Sequence, residues 1–160
     1  MKPIVYLICG LGGSGKSTYS QKLAKNGMTK FSIDEYVYSQ HGRSITKMSE
    51  NEYLEIYRAA KIELDKQLSE AIQQKYTIVV DYGFWTRKGR DYYKKLIEEN
   101  GGEWKLIYLK ASPEVLLKRL KERNKLTHAN AFPVTEEKLQ EYIARFEEPN
   151  GEGEEIILQS

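Results

Sequence analysis

The chain has 160 residues, 40% hydrophobic and 30% charged, which suffices for one domain with its own core and no disulfide or metal staple. A net charge of +2 is too mild for a protein that coats duplex nucleic acid through a basic stripe. The lone Cys9 excludes an internal disulfide, and no apolar run approaches the ~20 residues that span a bilayer, so a soluble, cytoplasmic protein is expected.

In chain order, the apolar run Ile4 to Cys9, with glycine behind it, has the pattern of a strand buried on both faces. Preceded only by Met1-Lys2-Pro3 and followed by no small-residue cleavage site, it does not read as a signal peptide. A helix is expected from Gly15 to about Lys25. Lys30 to Ile33 reads as a second strand ending at Asp34, and residues 39–48 as a polar loop. Ser49 and Glu52 spell a capping box. The helix they open runs to about Gln74, with Tyr53, Ile56, Tyr57, Ala60, Leu64, Leu68 and Ile72 on one face. Tyr76 to Val80 is the third strand, ending at Asp81. Thr86 caps a helix to about Asn100, which Gly101-Gly102 stop. Trp104 to Leu109 is the fourth strand. Ser112 and Pro113 open a helix to about Arg123, and a loop follows at about 124–134. Thr135 caps a helix to about Glu147, and Glu155 to Leu158 is a short fifth strand.

Strands alternating with helices predict a single α/β domain over 1–160, with a mainly parallel sheet and helices on both faces. Ligands of such sheets gather at the carboxyl ends of the strands. The glycine loop after the first strand, Asp34 and Asp81 all follow strands, so they should converge on one edge.

The loop Gly10-Leu11-Gly12-Gly13-Ser14-Gly15-Lys16-Ser17 fits G-x-x-x-x-G-K-[ST] between a strand and a helix. Glycines there let successive N–H groups meet phosphate oxygens, and the helix start adds its positive end. Lys16 reaches the β- and γ-phosphates and Ser17 ligates Mg²⁺. Gly10, Gly12 and Gly15 also spell the dinucleotide pattern G-x-G-x-x-G, with Asp34 where an acid would hold a ribose. Lys16-Ser17 has no task in that arrangement. A guanine site is disfavoured, because Thr127 stands where Asn124-Lys125 would need an acid, and Asp81-Tyr82-Gly83 is not Asp-x-x-Gly.

Asp34 can accept the proton of an attacking hydroxyl, or simply cap a helix at that point. Asp81 can orient the water shell of Mg²⁺ or hold the acceptor, or be a polar strand end. Arg119 and Arg123 share a helix face just before the 124–134 loop, which suits a lid that neutralises the transferring phosphoryl. Lys118, Lys121 and Lys125 nearby also fit a plain solvated face. After Asp81, Phe84 and Trp85 can wall an acceptor pocket or pack the core, and Arg87 or Arg90 can reach into it. Arg43 is a further acceptor-side candidate. Cys9 reads as a buried small hydrophobe, and His41 and His128 stand alone.

These features together resemble the small P-loop kinases grouped with chloramphenicol phosphotransferase, polynucleotide 5′-hydroxyl kinase and the zeta toxins. The resemblance lies in Gly10 to Thr18, Ser32-Ile33-Asp34-Glu35, Val79-Val80-Asp81 with Phe84-Trp85 and Arg90, and Leu116 to Arg123. It implies a P-loop NTPase fold with a five-stranded parallel sheet in the order 2-3-1-4-5. It also implies that Asp34 is the base, Arg123 a lid arginine, Arg119 the neighbour of adenine, and Phe146 to Pro149 the adenine-side loop.

The expected function is ATP- and Mg²⁺-dependent transfer of the γ-phosphoryl group to a hydroxyl of a small molecule. A polynucleotide 5′-hydroxyl kinase and a nucleotide-dependent binding module without transfer remain as alternatives. Neither an extended substrate insert nor a basic groove for nucleic acid is visible, and no membrane partner is expected.

Overall fold

A computed structural model describes residues 1–123 and 134–160. At its centre lies Ile4–Cys9 (β1), flanked on one side by Ile78–Gly83 (β3) and on the other by Glu103–Lys110 (β4). Thr29–Phe31 (β2) pairs outside β3, and Glu154–Leu158 (β5) outside β4. Every pairing is parallel, and the order is β2-β3-β1-β4-β5. The strand order implied by the resemblance is therefore the one found.

Alternate side chains of β1 point to opposite faces, as the pleat requires. Val5, Leu7 and Cys9 join Leu64, Leu68 and Ile72 of Glu50–Gln73 (α3) and Tyr93 and Ile97 of Arg87–Glu99 (α4). On the other face, Ile8, Val79, Ile107 and Leu109 meet Tyr19 and Leu23 of Lys16–Lys25 (α1). A third cluster ties Leu11 of the glycine loop to Leu116 and Leu120 of a fifth helix and Leu139 of a sixth. Along the chain, α2 is Ile33–His41, α5 is Pro113–Arg123 and α6 is Glu136–Arg145. Among the described residues no helix is long and apolar enough to cross a membrane.

Three boundaries differ from the sequence reading. β2 stops at Phe31, because the Ser32 hydroxyl accepts the Glu35 N–H and opens α2. Asp34 thus stands in the first turn of a helix instead of at a strand end. Residues 39–48 are not a plain loop: α2 runs to His41, and a 3₁₀ turn, Gly42–Lys47, follows with Ile45 buried beneath it. β3 continues through Asp81 to Gly83, since β1 holds it as far as the Cys9–Gly83 pairing. Asp81 is consequently inside the strand. Of the loop expected at about 124–134, residues 124–133 lie outside the described residues.

Candidate active site

The helices α2, α3, α4 and α6 each begin at a Ser or Thr whose side chain accepts a first-turn N–H. α1 differs. Its N-cap is Gly15 at φ 96°, with no side-chain cap and no acid in the first turn. The first N–H groups of a helix lack intrahelical acceptors, so an end with neither side-chain cap nor acid suits an anion. The loop before it is fixed at both ends: Gly10 N donates to Gly83 O (3.1 Å) and Ser14 N to Leu11 O (3.0 Å). A β-carbon at Gly10 would stand 2.5 Å from Ser14 Oγ, so only glycine fits.

Two arginines of α5 flank this loop. Arg119 donates from Nη1 to Gly13 O (3.2 Å) and from Nη2 to Ser160 O (2.8 Å). Arg123 lies with Nη2 3.4 Å from the point a Gly12 β-carbon would occupy. Its Nε is buried without a hydrogen-bond partner among the described residues, as is Ser14 Oγ. Burial lowers the Arg123 pKa, and the nearby Asp34 charge opposes that shift. Such a cation gains from any anion placed against the loop, so the residues fit a phosphate chain.

Lys16, Ser17, Asp34, Asp81 and Arg123 all line one cavity of about 570 Å³. Within it, burial pushes the Asp34 carboxyl above the ordinary range. Lys16 and a hydrogen bond from Tyr53 pull it back, and Asp81 adds to the rise. Tyr53 OH lies 3.1 Å from Asp34 Oδ1. Asp81 is buried, and Ser20 Oγ lies 3.2 Å from both Asp81 Oδ2 and Ser17 O, which ties the acid to the first turn of α1. Ser17 and Asp81 offer hard oxygen donors of the kind Mg²⁺ takes. No group of three or more acidic, His or Cys ligands exists among the described residues. A magnesium ion here would draw its other ligands from phosphate and water, as it usually does.

The Tyr53 contact carries its own expectation. Tyr53→Phe removes a donor that favours the charged carboxylate, so the Asp34 pKa rises further. If activity needs the carboxylate, it is lost as pH falls through that pKa. The acid limb of the kcat/KM profile should therefore move to higher pH in Tyr53→Phe, and an unmoved limb would remove Tyr53 from any such role.

Other candidates fall into place differently. Phe84 and Trp85 line the cavity, and Phe84 is also buried against Tyr93 with ring centroids 5.3 Å apart. Arg90 does not reach into it, which corrects the sequence reading. The side chain is fully buried, with Nε and Nη2 on Glu152 (2.8 and 2.9 Å) and Nη1 on Phe84 O (2.7 Å), so the guanidinium is held in the core and does not line the cavity. Arg43 is exposed on the 3₁₀ turn and forms no part of the cavity wall, and Thr18 is exposed on α1. The stretch from Phe146 to Pro149, which the resemblance places by adenine, follows α6. Phe146 packs on Tyr108 (5.7 Å), and Glu147 N donates to Trp85 O (2.8 Å). It is Gln159 and Ser160, after β5, that lie beside Gly15 and Arg119.

Tyr53, Tyr57, Lys61 and Tyr93 are cavity residues that the sequence reading does not single out, whereas Tyr82 belongs to the aromatic stretch after Asp81 expected to wall a pocket. The one signal was chemical: a tyrosine on a buried helix stripe needs a partner for its hydroxyl.

A parallel sheet in this order, with G-x-x-x-x-G-K-S between the central strand and α1, defines a P-loop kinase fold. The family model described as "AAA domain" matches residues 5–149, and the chain belongs to that family. It is 37% identical over 114 residues to a shikimate kinase of Chlorobium limicola, spanning 71% of this chain and 53% of that one. It is 33% identical over 141 residues to a shikimate kinase of Chlorobaculum tepidum, spanning 86% and 70%. The chain thus matches only about half the length of the first of these relatives. A solved structure of a Chloroflexus aurantiacus protein assigned as a kinase superposes with a TM-score of 0.75 at 19% identity, covering 99% and 86% of the two chains.

Proposed function

We propose that this protein transfers the γ-phosphoryl group of ATP, with Mg²⁺, to a hydroxyl of a small molecule. The observation that carries this reading is one cavity in which the Asp34 carboxyl faces Lys16 and Arg123 beside the uncapped start of α1. The loop from Gly10 to Ser17 receives the phosphates, with Gly12, Gly13, Ser14 and Gly15 bringing the backbone close. Lys16 and Arg123 offset charge on the transferring group, and Arg119 holds the loop through Gly13 O. Ser17 and Asp81 would hold the magnesium ion, which supplies charge neutralisation at the phosphates. Asp34 takes the proton of the acceptor hydroxyl. The hydroxyl oxygen then bonds to the γ-phosphorus, the bond to the β–γ bridging oxygen breaks, and ADP leaves. The two relatives named as shikimate kinases agree with a small hydroxyl-bearing acceptor.

Transfer from γ-labelled ATP into a small-metabolite extract tests the reading, with Lys16→Met as the comparison. The labelled product should form, and Lys16→Met should lower kcat by roughly 10²–10³, about 2.7–4 kcal/mol. Bound ATP with no labelled acceptor, or equal labelling by Lys16→Met, would contradict it.

A further inference from the structure

Ser20 stands about one turn beyond Ser17 in α1, and none of its surface reaches solvent. Alanine suits such a position better, since it buries no polar group and is the strongest helix former. A buried hydroxyl costs free energy unless it finds partners. Here it finds two. Ser20 Oγ lies 3.2 Å from Ser17 O, within its own helix, and 3.2 Å from Asp81 Oδ2 on β3. The first contact is the ordinary recourse of a serine inside a helix. The second joins positions 61 apart in the chain.

The count of protons decides what that second contact does. A hydroxyl carries one proton, while a backbone carbonyl and a carboxylate oxygen can only accept. Both distances are long for an O–H donor, as a proton shared between two acceptors gives. A carboxylate is the stronger acceptor, so its charge draws the proton toward Oδ2. A carboxylate held at one oxygen does not swing about its side-chain torsions. Its other oxygen, Oδ1, is left for the cavity that Asp81 and Ser17 both line. One buried hydroxyl therefore registers the acid of β3 against the first turn of α1.

We propose that Ser20 is a positioning residue for the magnesium ion. Its hydroxyl fixes the Asp81 carboxylate relative to Ser17, so the two oxygen donors meet the cavity as a preset pair. Ser20 itself forms no part of the cavity wall and acts through Asp81. The proposal rests on the reading that Ser17 and Asp81 hold that ion.

The test is calorimetric and needs no turnover. ADP affinity for the full chain is measured in EDTA and again in saturating Mg²⁺, and the ratio is the tightening that the metal confers. Ser20→Ala should lower this tightening about tenfold, the usual cost of losing a partner that orients a metal ligand. Affinity in EDTA should stay within about twofold of the parent, which also reports an intact fold. Ser20→Cys puts a weak donor in the same place without opening a gap, and should lose tightening in the same direction. In an Asp81→Asn background Ser20→Ala should change the tightening no further, because its effect passes through the carboxylate. Parental tightening in both Ser20 variants overturns the proposal. So does a further loss on top of Asp81→Asn, and so does ADP binding weakened equally with and without metal, the mark of a serine that only supports α1. A parent whose ADP affinity ignores Mg²⁺ removes the metal reading itself, and the role of Ser20 falls with it.

Discussion

Asp34→Asn should lower kcat by roughly 10²–10⁴ while nucleotide affinity stays close to that of the parent. The substitution changes one property only. Asn keeps the size of Asp, and its carbonyl can still accept from Tyr53 OH, which lies 3.1 Å from the carboxylate now. What disappears is an oxygen that can accept a proton from the acceptor hydroxyl. The site favours that task. Burial raises the Asp34 pKa, which makes its carboxylate a stronger base, while Lys16 and Tyr53 oppose that rise. The measurement is steady-state kinetics on the acceptor, with ADP binding measured separately. Unchanged kcat would show that Asp34 is only a first-turn acid of α2. A joint loss of kcat and ADP affinity would show that it supports the loop instead.

Much of this site was legible in the sequence because its parts obey local rules. The loop from Gly10 to Ser17 combines a spacing with a strand before it and a helix after it, and both are short-range features. Capping chemistry at Ser49, Thr86 and Thr135 located three helix starts correctly, since a side chain and an N–H three residues on decide each one. What failed was what depends on partners far along the chain. The end of β3 is set by its pairing with β1, so Asp81 looked terminal when it is not. Arg90 looked like an acceptor contact because its partner Glu152 lies 62 residues away. The cavity's tyrosines needed the same information: Tyr57 and Tyr82 are 25 positions apart, and only the packing of α3 over β3 puts them on one cavity.

The same buried pair gives the largest expected loss of stability. Arg90 and Glu152 are both nearly inaccessible, and their side chains meet at 2.8 and 2.9 Å in a bidentate contact. Arg90→Met leaves the buried Glu152 carboxylate with only Lys94 at 3.8 Å and the Asn150 N–H at 3.4 Å among the described residues, which should destabilise the protein by about 3 kcal/mol. Removing both charges, as Arg90→Met with Glu152→Leu, should recover most of that, because two apolar groups need no mutual partner. Activity should not recover in step. Arg90 Nη1 also holds the carbonyl of Phe84, a non-glycine residue at φ 51° whose backbone is strained. That turn follows Gly83, whose carbonyl receives Gly10 N at the start of the phosphate loop. The double variant therefore keeps its fold but loosens the loop, and its ADP affinity should stay below that of the parent. pH supplies an independent check with a defined sign. Hydrogen bonds from Arg90 hold Glu152 below the ordinary glutamate value of 4.5. Its contribution to stability is full above that value and is lost as pH falls from there through the depressed one. Urea unfolding at neutral and acid pH reads both effects. Arg90→Met with the parent's unfolding midpoint, or a double variant with parental ADP affinity, would show that the pair neither supports the core nor shapes the phosphate loop.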